Sequence, residues 1–148
     1  MDKQSNYKDT KIQERRDERQ QAFNFVFERM FRDDEINDAF EDAENARDIQ
    51  VSEYTRKVVE GVEENLEEID ALIEKNLKGW KKNRISKISL TILRIAVFEI
   101  LYMNNIPTSV SINEAVELAK NYATASDGSF VNGVLGSIAK SLKKSGDN

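Results

Sequence analysis

Apolar residues recur at helical spacing in successive stretches of the chain, and that spacing predicts a series of helices. The first carries Ala22, Phe23, Val26, Phe27, Met30 and Phe31 and runs to about Arg32. Thr10 and Gln13 have capping-box spacing for its start. Ile36, Ala39, Phe40 and Ala43 place a short helix in the acidic stretch that follows. From Ser52, the positions Tyr54, Val58, Val62, Leu66, Ile69, Ile73 and Leu77 repeat at roughly 3.6 residues, as one long amphipathic helix ending near Gly79. Gly61 lies inside it; such a glycine costs ~1 kcal/mol relative to alanine, and it is read as permitting close helix contact. After a short basic connection, Trp80 to Asn83, Ser86 caps a helix that is apolar on most sides, from Ile88 to Leu101, the expected central buried element. Asn104, Asn105 and Pro107 mark a turn, Val110 to Tyr122 continue as a helix, and Ser126, Asp127 and Gly128 are read as a loop with a cap. The last helix carries Phe130, Val131, Val134, Leu135, Ile138 and Leu142 and frays after Lys143.

About six helices result, and composition agrees. Charged residues make up 33% and hydrophobic ones 39%, with a single proline and six glycines, a balance that favours helix. The expected fold is all-α, a compact helical bundle of two subdomains. Residues 1–11 form a mobile tail, and residues 12–143 form one domain with halves at about 12–79 and 80–143.

The formal net charge of −5 argues against a polyanion partner until its distribution is considered. Residues Asp33 to Asp48 hold eight carboxylates against one arginine, whereas Lys75 to Arg94 hold seven cations and no acid. The acidity is therefore local. Arg15, Arg16 and Arg19 fall within the arc of the first helix that its apolar stripe covers, at about 100° per residue, while Glu14, Asp17 and Glu18 fall opposite. An ordinary surface helix does the reverse. The reading is a helix that packs its C-terminal part on a core and projects its N-terminal turns beyond it, presenting guanidiniums suited to phosphates. The plainer alternative is a solvated helix start paired with Glu14 and Glu18.

Other chemistry finds little support. The chain has no cysteine and no histidine, which removes disulfides, thiolate nucleophiles and the usual zinc ligands, so no metal and no cofactor are expected. A dicarboxylate metal site built on Glu-x-x-His is ruled out by the same count. There is no Walker loop, no Gly-x-Gly-x-x-Gly and no Gly-x-Ser-x-Gly, and an enzyme is not expected. No apolar run approaches the ~20 residues that span a bilayer, and Met1 to Lys11 are polar, so the expectation is a cytoplasmic protein with no membrane partner. Asn113, Glu114 and Asn132 lie among apolar neighbours and are read as buried, held in an interhelical polar network or contacting a ligand directly. Arg94 and Glu99 are read as a partly buried pair or as cap contacts, with a direct ligand role as the alternative, and the cations from Lys75 to Lys87 are read as a solvated turn or a second phosphate-facing patch.

Several segments occur in order: Arg15-Arg16-x-x-Arg19-x-x-Ala22-Phe23, Ile92 to Ile100, Ile106-Pro107, Ile112-Asn113-Glu114-Ala115-Val116-Glu117-Leu118-Ala119-Lys120, and Phe130-Val131-Asn132-Gly133-Val134-Leu135. Together they resemble the NusB family of bacterial transcription antitermination factors, over nearly the whole chain after residue 12. The resemblance implies two small helical bundles in a protein that, with ribosomal protein NusE, binds boxA-type RNA and joins the transcription elongation complex, supporting processive transcription of ribosomal RNA operons. It implies RNA contacts at Arg15, Arg16 and Arg19, and further contacts in the segment before Phe130, at Ser126, Asp127, Gly128 and Ser129. Phe27 follows the arginines at an aromatic position, either to meet a base or, by default, to pack. Self-association as a homodimer through the arginine face is also allowed. The competing reading is a helical protein–protein adaptor whose basic face docks an acidic partner without RNA.

Overall fold

A computed structural model describes residues 3–79 and 84–146. Among them are seven helices: α1 (Lys3–Arg29), α2 (Ile36–Ala46), α3 (Glu53–Glu64), α4 (Leu66–Lys75), α5 (Lys87–Tyr102), α6 (Thr108–Tyr122) and α7 (Ala125–Gly146). The chain divides into two compact units, Met1–Glu60 and Gly61–Asn148, with the division falling inside α3, well ahead of the junction near residue 79 that the hydrophobic pattern suggested.

The first unit holds α1, α2 and the opening of α3. Helix α1 is already formed at Lys3, before the Thr10 start inferred from capping-box spacing. The acidic stretch forms α2 as its spacing predicted, with Ala39, Phe40 and Ala43 buried. Phe25 of α1 meets Phe40 of α2 edge to face, with ring centroids 5.2 Å apart. The guanidinium of Arg56, 4.9 Å from the Phe40 centroid, also pairs with Glu44 at 2.9 Å. Helix α3 starts where the Ser52 hydroxyl accepts from the backbone N–H of Thr55 at 3.0 Å. Gln21 of α1 fixes that start from the side: its amide nitrogen donates to the carbonyl of Gln50 at 2.9 Å, and its amide oxygen accepts from the N–H of Ser52 at 3.1 Å.

In the second unit α5 is the central element and packs against α4, α6 and α7, which explains why its sequence is apolar almost all round. From Ser89 to Glu99 every residue of α5 except Leu90 and Arg94 is buried. Its cap is the expected one, the Ser86 hydroxyl accepting from the N–H of Ser89. The long helix expected from Ser52 to Gly79 is instead two helices, α3 and α4, meeting at Asn65. The Asn65 side-chain amide donates to the Gly61 carbonyl at 2.8 Å, sharing that carbonyl with the Asn65 backbone N–H at 3.0 Å. Gly61 itself lies against the Phe98 ring, as a glycine that permits close helix contact should. Helix α4 ends at Asn76, whose amide donates to Leu72 and accepts from Ser137 of α7 at 2.8 Å, and Gly79 takes the left-handed backbone that suits glycine.

The charged residues Arg94 and Glu99 of α5 are both partnered. Arg94 makes two hydrogen bonds to Asp70 of α4, at 2.9 and 2.8 Å, and the buried Glu99 accepts from the Ser111 hydroxyl of α6 at 2.7 Å. The three amide and carboxylate positions read as buried behave differently: Asn113 and Asn132 are exposed and Glu114 is half-buried. The inward stripe of α6 is Ser111, Ala115, Leu118 and Ala119, and that of α7 is Val131, Val134, Leu135 and Ile138. Asn113 and Asn132 fall off those stripes, so the interhelical network expected of them does not form.

Candidate nucleic-acid interface

Arg15, Arg16 and Arg19 occupy consecutive turns of α1, but their environments differ sharply. Arg16 is exposed, Arg15 is half-buried and Arg19 is only 5% exposed. The cause is Tyr54, at the start of α3 in the same unit. Its ring lies under the Arg15 guanidinium, whose central carbon is 4.6 Å from the ring centroid, and that of Arg19 is 5.9 Å away. The turn of α1 that carries the arginines therefore does not project clear of the core, as the facial segregation suggested, although residues 8–14 ahead of it are exposed; the arginines share the apolar arc because that arc continues onto Tyr54. The Nε of Arg15 also donates to the Glu18 carboxylate at 3.1 Å, so part of the plainer pairing is present too. Behind this group, the Thr55 hydroxyl donates to the carbonyl of Glu18 at 3.2 Å, tying α3 to the α1 backbone.

Phe27 stacks on Phe23 at 5.9 Å between ring centroids and meets Phe31 edge to face at 5.4 Å. This i, i+4 ladder runs from buried Phe23 to Phe31, which is 61% exposed. Phe27 thus packs, with its ring half-buried.

Ser126, Asp127, Gly128 and Ser129 belong to the second unit, and they do not form the loop expected of them. They make the first turn of α7. Thr124 and Asp127 bring this about as a capping box: the Thr124 hydroxyl accepts from the N–H of Asp127 at 3.1 Å, and the Asp127 carboxylate accepts from the N–H of Thr124 at 3.2 Å. Gly128 is buried, where a side-chain carbon would touch Val116, while Ser126 and Ser129 face solvent. Of the cations from Lys75 to Lys87, those at 75, 78, 84 and 87 are exposed; the basic connection at 80–83 lies outside the described residues.

A sequence model of the NusB family matches residues 16–140. The chain belongs to the NusB family. Transcription antitermination protein NusB of Clostridium novyi (strain NT) is 43% identical over 130 residues, covering 85% of this chain and 98% of that protein. Among solved structures, NusB from T. maritima aligns with a TM-score of 0.75 and 39% identity, over 85% of this chain and 90% of that one. A further NusB, solved as a complex of antitermination factors NusB and NusE with double-stranded RNA, aligns with a TM-score of 0.74 and 29% identity, over 86% of this chain and 96% of its own. The all-α architecture is thus that of the NusB family.

Within that family frame, sequence reasoning overlooked Tyr54 at the arginine segment. The periodicity marks it only as the first apolar position of a helix. Nothing in the local pattern of α3 announces a contact with a side chain 39 residues earlier, and only the fold supplies it. Among the described residues, no group of three or more acidic, histidine or cysteine side chains is set to hold a metal ion, and no helix is long and apolar enough to cross a membrane.

Proposed function

We propose that this chain is a bacterial transcription antitermination factor that binds boxA-type RNA together with ribosomal protein NusE, within the transcription elongation complex, in a regulatory and non-catalytic role in the cytoplasm. The observation that carries this reading is the likeness, over 86% of this chain, to a NusB solved with NusE and RNA, combined with the arginine segment of α1. Arg16 offers a solvent-exposed guanidinium, Arg15 a half-buried one already oriented by an aromatic ring, and Arg19 a buried one beside the same ring. Phosphate recognition suits this group, because a guanidinium can donate two parallel hydrogen bonds to one phosphate. The exposed hydroxyls of Ser126 and Ser129, in the first turn of α7, supply neutral donors, with Asp127 and Gly128 shaping that turn.

A net charge of −5 makes the chain a weak RNA binder by itself, with NusE contributing the remaining surface. The RNA of the solved relative is described as double-stranded, and phosphate contacts serve either form. The test is a fluorescence-anisotropy titration with single-stranded boxA-type RNA, its scrambled counterpart and a duplex, with and without NusE. Sequence-selective binding strengthened by NusE supports the reading. Equal binding of boxA-type and scrambled RNA, or no binding by the folded protein in any arm, removes it and leaves the adaptor role.

A further inference from the structure

The placement of Tyr54 goes beyond the assignment of RNA contacts to α1. Arginine side chains are long and rotamer-rich, so an arginine that must meet a phosphate in one place loses conformational freedom on binding unless something has already ordered it. Here Arg15 is ordered in advance by two groups of its own unit. The face of the buried Tyr54 ring lies 4.6 Å from its guanidinium carbon, and Glu18 accepts from its Nε at 3.1 Å. The two contacts use different parts of the guanidinium. A ring face engages the plane of the group, whereas a carboxylate engages its N–H edge. A phosphate competes for the same N–H edge as Glu18 and leaves the plane on the ring undisturbed.

Tyr54 is itself well fixed. It lies 5% exposed in the first turn of α3, whose start is capped by Ser52 and held to α1 through Gln21 and through Thr55. The buried Arg19 guanidinium lies 5.9 Å from the same centroid.

We propose that Tyr54 is a positioning residue for RNA binding, its ring holding the Arg15 guanidinium in place while a backbone phosphate replaces Glu18 at the N–H edge. This rests on the assignment of Arg15 to RNA made above, and the test separates the two.

The full-length protein with NusE is titrated with single-stranded boxA-type RNA as Arg15→Gln, as Tyr54→Leu, as the double variant, as Glu18→Gln and with phenylalanine or progressively fluorinated phenylalanine at position 54. Fluorination keeps the ring's shape and weakens its negative face. Tyr54→Leu should weaken binding roughly three- to thirty-fold, the range of a partly desolvated cation–π contact, and Arg15→Gln at least as much, because it removes the phosphate contact as well. The double variant should be no weaker than Arg15→Gln alone, because the ring acts only through that arginine. Affinity should be close to wild type with phenylalanine and fall stepwise with fluorination. Glu18→Gln should tighten binding severalfold. Unchanged affinity in Arg15→Gln would remove Arg15 from the RNA contacts and leave the first reading at fault. A clear loss in Arg15→Gln with no dependence on fluorination, or with additive losses in the double variant, would overturn the role of Tyr54 alone. The fluorinated series decides the matter even where Tyr54→Leu fails to fold.

Discussion

Phe98 of α5 fills the space that a side chain at Gly61 of α3 would need: a Cβ built at position 61 falls well inside van der Waals contact of the ring edge. The ring cannot swing away cheaply, since it is buried and pairs with Tyr102 at 5.3 Å between centroids. Gly61→Ala should therefore destabilise the protein by about 1–3 kcal/mol, the cost of overpacking, although alanine is the better helix former. Gly133 of α7 is the matched opposite, exposed and with nothing within 4 Å of an added carbon. Gly133→Ala should stabilise by about 0.5–1 kcal/mol. Urea unfolding midpoints for the two variants, moving in opposite directions, check both statements; a neutral or stabilising Gly61→Ala would show that Phe98 is not held as described.

The paired hydrogen bonds between Arg94 and Asp70 join α5 to α4 with each side chain 13% exposed. Removing one partner leaves the other largely out of water. Asp70→Ala should cost about 2–3 kcal/mol, while the double substitution to leucine at both positions should cost less than the sum of its parts. A double-mutant cycle on unfolding free energies measures that coupling. Strict additivity would mean the pair contributes nothing beyond its separate side chains.

Tyr102 donates its one phenolic hydrogen to Glu68, with the Asn65 amide oxygen 3.2 Å from the same hydroxyl, and the Glu68 carboxylate, helped by desolvation and its negative charge, raises the phenol above its ordinary value. A group whose folded pKa is raised lends stability that is complete below the ordinary phenol range and is lost as pH rises through the folded value. The folded protein should thus show one tyrosine ionising later than in the unfolded chain, a phase that Tyr102→Phe abolishes and Glu68→Gln shifts downward. Spectrophotometric titration reads this directly. An unshifted phase in the folded wild type would contradict the contact.

Most of the fold is legible in the sequence because it rests on periodicity. The apolar repeats of α2, α5, α6 and α7 and the Ser86 cap correspond to elements of the structure, and Gly61 meets a neighbouring helix as its position inside an amphipathic pattern suggested. What periodicity could not supply were facts set by one side chain or by partners far away along the chain. Asn65 divides α3 from α4 through a bond to its own helix, and Thr124 draws Ser126 to Ser129 into α7 through a threonine–aspartate box that the spacing of apolar residues hides. Apolar neighbours suggested burial for Asn113 and Asn132, yet an angular offset of one residue, about 100°, suffices to turn a side chain out to solvent. The arginine segment was visible as an anomaly of charge placement. Its explanation required Tyr54, whose contact with Arg15 exists only once α3 is docked beside α1.

Charge reversal at Arg15 and Arg16 tests the central claim most directly. Arg16 is exposed and Arg15 half-buried, so the fold should survive, and circular dichroism with thermal melting establishes that it does. RNA affinity is then measured with NusE present over a range of salt. If Arg15 and Arg16 each neutralise one phosphate, with Arg19 buried behind them, the wild-type log–log slope should include a contribution of roughly −1.4 from the pair, and Arg15→Glu with Arg16→Glu should remove that contribution along with most of the affinity while NusE binding is retained. Unchanged RNA affinity and slope in the folded variant, or loss of NusE binding with RNA binding intact, would contradict the account and identify the arginine face as a protein-docking surface.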